Sequence, residues 1–153
     1  MLQNGNSKNQ SQFATFKIYD QMTQVKAITK KQLYRTEITA RNHLMIVDEP
    51  KDSGGGDEAM HPFELLAASL ASCTSITLRM YINRKEWEVD EIHVTVDVEF
   101  QRRENRAIFK RKIQWVGSLE EKQQKRILSI ADACPVHKAL MASVDIETEI
   151  IAP

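Results

Sequence analysis

Cysteine is scarce in this sequence, and neither sign of charge is in excess. Cysteine occurs twice in 153 residues, at Cys73 and Cys134. That is too few for a secreted disulfide framework, and no Cys-x-x-Cys spacing points to structural zinc. The 21 basic side chains are matched by 21 acidic ones, so the net basic surface with which a nucleic-acid binder neutralises phosphate is missing. No apolar run reaches the ~20 residues a bilayer needs, because Glu64, several hydroxyls and Arg79 interrupt the most hydrophobic stretch. Met1 to Gln12, rich in Asn, Gln and Ser, lacks the apolar segment of a signal peptide. The expectation is a cytoplasmic protein that binds neither nucleic acid nor membrane. The same reading expects residues 1–22 to be a flexible tail and lead-in, and 23–153 to be one domain without internal repeats.

What is present is patterned. Val25 to Ile28, Leu33 to Ile38 and Leu44 to Val47 alternate apolar with polar residues and predict two or three antiparallel strands. The loop that follows, Asp48 to Asp57, contains three of the five glycines. Pro62 then suits the first turn of a helix, where its missing N–H would be unpaired anyway. From there to Arg84 the apolar residues lie all round the helical wheel, which predicts a central helix buried on most sides. Glu91 to Gln101 alternates strictly and pairs with Ala107 to Val116 as a hairpin, in which Phe109, Ile113 and Trp115 share a face. Ser118 with Glu121 predicts a capping box opening a helix from Leu119 to about Ala133, with Ile127, Ile130 and Ala131 inward. After Pro135 a short helix through Leu140 leads to a last alternating strand, Val144 to Ile150. Strands and helices are segregated, so the fold class is α+β with helices on antiparallel sheet.

Two residues could carry chemistry. Nothing local activates Cys73, and a thiol in apolar surroundings has a raised pKa; it is either a small core residue or one half of a redox pair. Cys134 precedes Pro135 at the cap of a short helix, where the helix dipole favours a thiolate. His137, three residues on, is either a surface hydrogen-bonder or a partner that reaches back to the cap. No residues are assigned to a metal.

The segments Pro62-Phe63-Glu64-Leu65-Leu66-Ala67-Ala68-Ser69-Leu70-Ala71-Ser72-Cys73-Thr74, Arg84-Lys85-Glu86-Trp87 and Ile130-Ala131-Asp132-Ala133-Cys134-Pro135-Val136-His137 resemble the OsmC/Ohr family of thiol-dependent hydroperoxide reductases. The resemblance covers roughly Thr23 to Ile151. It implies an intertwined homodimer with antiparallel sheets around a buried central helix, and a reaction that needs no cofactor. It also implies that Cys73 attacks an organic hydroperoxide and becomes a sulfenic acid. Cys134 then closes a disulfide, which a dithiol reductant opens.

The sequence departs from the family in its acid. Organic hydroperoxide reductases place a glutamate directly after the helix-opening proline, binding an arginine that holds the thiolate. Here Phe63 takes that place and Glu64 follows, about 100° further round the helix. Gln32 falls where the family has its arginine, with Lys31 and Arg35 beside it. Glu64 therefore either reaches Arg35, the first candidate, or Lys31, or else serves only the first turn of its helix. Phe63, Leu66, Leu70, Met80 and His137 are the expected substrate pocket. Two functions compete: a peroxidase acting on organic hydroperoxides in defence against oxidative stress, and a small-molecule binding or redox-switch protein that keeps the fold without significant turnover.

Overall fold

A computed structural model of the protein describes residues 23–151, so the expected tail over 1–22 lies outside the described residues. The chain divides into two compact units, one ending at Ala59 and the other beginning at Met60.

In the first unit the three predicted strands are present. β1 (Lys26–Thr29), β2 (Thr36–Ala40) and β3 (His43–Val47) form one antiparallel sheet in chain order. Thr29 faces Thr36 across β1 and β2, and their hydroxyls hydrogen-bond at 2.7 Å. The glycine-rich loop after β3 is tightly held. Asp48 is buried, and its carboxylate accepts the backbone N–H groups of Tyr34 (3.2 Å), Glu49 (2.9 Å), Gly56 (3.0 Å) and Glu58 (3.2 Å). Burial pushes the Asp48 pKa up, but these donors outweigh it and hold the carboxyl below its ordinary value. Gly55 is required here because a Cβ would collide with the backbone of Glu49.

In the second unit α1 (Pro62–Arg84) packs against the hairpin of β4 (Val89–Gln101) and β5 (Arg106–Gly117). The strict alternation is realised in the register: Ile92 faces Trp115, Val94 faces Ile113 and Val98 faces Phe109. These side chains are on the half-buried face. Arg79 ties α1 to the start of β4 by donating to the carbonyls of Val89 (2.7 Å) and Asp90 (2.9 Å). α2 (Glu121–Asp132) and α3 (Pro135–Met141) complete the unit. Leu78, Ile82, Val89, Ile127 and Ala131 form the main core, packed against Trp87, Ile113 and Trp115 among others. Each large apolar side chain so buried contributes about 1.5–3 kcal/mol.

Within one chain α1 buries a single stripe, Ala67, Leu70, Cys73, Thr74, Leu78, Tyr81 and Ile82, while Ile76 and Met80 are half exposed. An apolar wheel shows how much surface a helix has available to bury, and one hairpin with two short helices covers only one side. α2 begins at Glu121, not Leu119, because Gln123 accepts the Glu120 N–H at 2.7 Å while the Ser118 N–H is held by the Glu88 carbonyl. The expected strand from Val144 to Ile150 does not form, and its apolar residues are exposed. Alternation specifies which side chains share a face, but a strand also needs an edge to pair with. None of the described strands pairs with this segment.

Candidate functional site

The two cysteines come together in the second unit. Cys73 lies midway along α1, and Cys134 is the N-cap of α3, preceding Pro135 at the first helical position. Both are free thiols, both are buried, and with Leu70 they form an apolar cluster covered by Val96, Phe109, Val136 and Leu140. The Cys73 thiol lies against the Cys134 thiol in this cluster, with the Val136 backbone N–H and the Thr77 hydroxyl nearby. Burial, reinforced by the neighbouring Cys134 thiol, pushes the Cys73 pKa up, and the Val136 and Thr77 donors offset this only in part.

Beside the pair is an arginine that the sequence reading missed. The Arg111 guanidinium, on β5, donates to Thr74 Oγ1 (3.0 Å), the Ala131 carbonyl (3.1 Å) and Asp132 Oδ1 (2.7 Å). The same Asp132 oxygen faces His137 Nδ1 at 3.9 Å. The signal was there in the alternation: Phe109, Ile113 and Trp115 define the inward face of β5, and position 111 belongs to it. An arginine at a core-facing strand position needs buried acceptors.

The residues expected to line a substrate pocket are divided among three concavities. Leu66, Leu70 and His137 line one cavity of about 560 Å³ together with Phe109, Arg111 and Leu140, so it adjoins the cysteine cluster through shared side chains. Phe63 does not line it; its ring packs on Phe100 with centroids 5.3 Å apart and borders a separate groove. Met80 lies along a third groove with Ile76 and Ile92. Ten residues separate Met80 from Leu70, about 15 Å of helix, too far to share one small cavity.

Glu64 closes the first turn of α1, with Oε2 accepting the His61 N–H at 2.9 Å. In the first unit Arg35 pairs with Glu37 (3.0 Å) and Glu58 (3.4 Å). Each residue thus has partners of its own within its unit.

The second unit is thus an α+β unit that buries two neighbouring thiols between its central helix and the turn before a short helix. The family model for OsmC-like protein matches residues 54–149, and the chain belongs to the OsmC family. A Psychrobacter arcticus protein, described as an osmotic stress induced and detoxification response protein, is 30% identical, with a TM-score of 0.69 over 78% of this chain and 88% of that one. An OsmC-like protein from Mycoplasma pneumoniae is 16% identical (TM-score 0.70; 80% and 89% covered). The organic hydroperoxide resistance protein OsmC of Legionella pneumophila is 22% identical (TM-score 0.55; 82% and 93% covered). These last two likenesses concern the fold. Comparison with curated proteins gives no match.

Proposed function

We propose that the protein is a cytoplasmic thiol peroxidase that reduces organic hydroperoxides through Cys73 and Cys134, with a role in peroxide stress. The observation that carries this reading is the meeting of two free, buried thiols in one apolar cluster. Solved relatives of the same fold include organic hydroperoxide resistance proteins from Legionella pneumophila and Bacillus subtilis, which supports the substrate class. In the proposed cycle the Cys73 thiolate attacks the distal peroxide oxygen, the O–O bond breaks, and Cys73 becomes a sulfenic acid. The alkoxide takes a proton and leaves as an alcohol. The Cys134 thiolate then displaces hydroxide from the Cys73 sulfur, giving a disulfide and, after protonation, water. A dithiol reductant restores both thiols by exchange and is itself oxidised to a disulfide. Leu66, Leu70, Phe109 and Leu140 give the adjoining cavity an apolar wall suited to an alkyl chain.

Stopped-flow oxidation of the reduced protein by cumene hydroperoxide tests the proposal. Wild type is expected to lose both thiols, Cys134→Ser to stop at the sulfenic acid, and Cys73→Ser not to react. The raised Cys73 pKa favours a second reading, a binding or redox-switch protein. That reading predicts a disulfide formed by exchange with oxidised glutathione but no rapid reaction with hydroperoxide.

A further inference from the structure

We propose that Arg111 is a positioning residue for disulfide closure: it sets the distance over which Cys134 reaches Cys73. The inference rests on the dithiol reading above, though not on peroxidase turnover.

The argument is geometric. One guanidinium joins three elements. Nη1 donates to Thr74 Oγ1 at 3.0 Å, on the residue next to Cys73 in α1. The same nitrogen donates to the Ala131 carbonyl at 3.1 Å, and Nη2 to Asp132 Oδ1 at 2.7 Å, both in the last turn of α2 just ahead of Cys134. The Ala131 oxygen also accepts the Cys134 backbone N–H at 3.3 Å, so the carbonyl that fixes the Cys134 amide is itself fixed by Arg111. Thr74 and Ala131 are fully buried and the Arg111 side chain is 14% exposed, which keeps water from replacing these bonds readily.

The chemistry makes this placement matter. A disulfide tolerates Cα separations of only about 4.4–6.8 Å and a narrow dihedral range. The two cysteines belong to different elements, and among the described residues no backbone hydrogen bond runs from α1 to the turn that holds Cys134. The rigid fork of an arginine can hold acceptors on two helices at once, which a lysine ammonium on a flexible stem does poorly. Arg111 therefore acts on the second step of the cycle and not on the first.

The experiment uses the full chain in wild-type form and as Arg111→Met, which keeps much of the stem and removes the donors, with Arg111→Lys and Asp132→Ala beside it. Thiols are equilibrated with reduced and oxidised glutathione, and the Cys73–Cys134 disulfide is quantified by mass spectrometry after alkylation. Arg111→Met is expected to lower the effective concentration of the thiol pair by about tenfold or more, in line with the price of small misplacements in intramolecular reactions. Arg111→Lys is expected to recover part of the loss. In hydroperoxide, the variant is expected to form sulfenic acid at the wild-type rate and accumulate it as a dimedone adduct, while disulfide closure slows by a similar factor. Asp132→Ala removes the exposed contact of Arg111, together with the 3.9 Å approach of His137, and is expected to give a smaller loss in the same direction; it carries the test if Arg111→Met does not fold. An unchanged effective concentration in the folded variants overturns the proposal, even if their melting temperatures fall. So does an equal slowing of both steps. If the wild type is inert to hydroperoxide while Arg111→Met still shows the predicted shift in glutathione, the peroxidase reading falls and this one stands.

Discussion

The Glu64 carboxylate accepts the His61 backbone N–H at 2.9 Å, while His61 Nδ1 accepts the Phe63 N–H at 3.1 Å. The acid that the family resemblance nominated for thiolate support is thus engaged in a capping box at the first turn of α1. Replacing Glu64 with Ala is expected to lower stability by about 1 kcal/mol, whereas Gln, which keeps an acceptor, changes it little. Denaturant titration checks this. The Cys73 thiol pKa, measured in a Cys134→Ser background, is expected to stay within about half a unit in Glu64→Gln and Arg35→Met. A larger shift in either assigns that residue to the thiol.

Burial sets the pH dependence of Cys73. Its pKa lies above the ordinary thiol value, so the thiolate fraction is small at neutral pH. Below that pKa the rate of Cys73 alkylation by iodoacetamide is expected to rise about tenfold per pH unit, with no plateau before pH 9. The linkage has a definite sign: a group whose folded pKa is raised stabilises the fold below its unfolded value. That contribution is lost as pH rises from about 8.5 through the folded pKa. Thermal melts are expected to fall more steeply above pH 9 for wild type than for Cys73→Ala.

Asp48 works in the opposite direction. Its folded pKa is depressed, so its stabilising contribution is present above the unfolded value of about 3.9 and disappears as pH falls through the folded one. The amides of Gly56 and Glu58 are expected to lose hydrogen-exchange protection in acid. Asp48→Asn is expected to expose one of the two N–H pairs at neutral pH, Gly56 and Glu58 or Tyr34 and Glu49, because the amide keeps a single accepting oxygen and its NH2 cannot accept from a backbone N–H. Protection that persists at both pairs in the variant refutes this assignment.

The expected homodimer would have apolar side chains to cover that a single chain leaves exposed. Ile76 is 53% exposed and Met80 51% on one face of α1, while Ile146 and Ile150 are 86% and 92% exposed in an alternating segment that pairs with no described strand. Isolated exposed apolar residues are ordinary, but runs of them mark association surfaces. Light scattering at micromolar concentration is expected to report twice the chain mass of 17.6 kDa. A monomer rules out the homodimer.

Local pattern was enough for the hairpin, α1 and the sheet of β1 to β3, because period and turn chemistry act between near neighbours in the chain. The two cysteines and their order were legible through the family resemblance, as was the apolar wall of Leu66 and Leu70. Contact between those cysteines was expected from the same resemblance and not from local pattern, since it depends on how α1 and the turn before α3 pack over the hairpin. The role of Arg111 was hidden for the same reason. Its inward position can be counted from Phe109 and Ile113, but its acceptors on Thr74, Ala131 and Asp132 are distant in sequence. Asp48 likewise looked like one more polar loop residue until the loop closed on it. The alternation of Val144 to Ile150 erred the other way, specifying a strand's faces without supplying an edge. Sequence by itself determined what each segment can bury and which way it turns. Only the tertiary structure decided which buried polar groups meet, because a hydrogen bond between distant residues is set by packing and leaves no period in the chain.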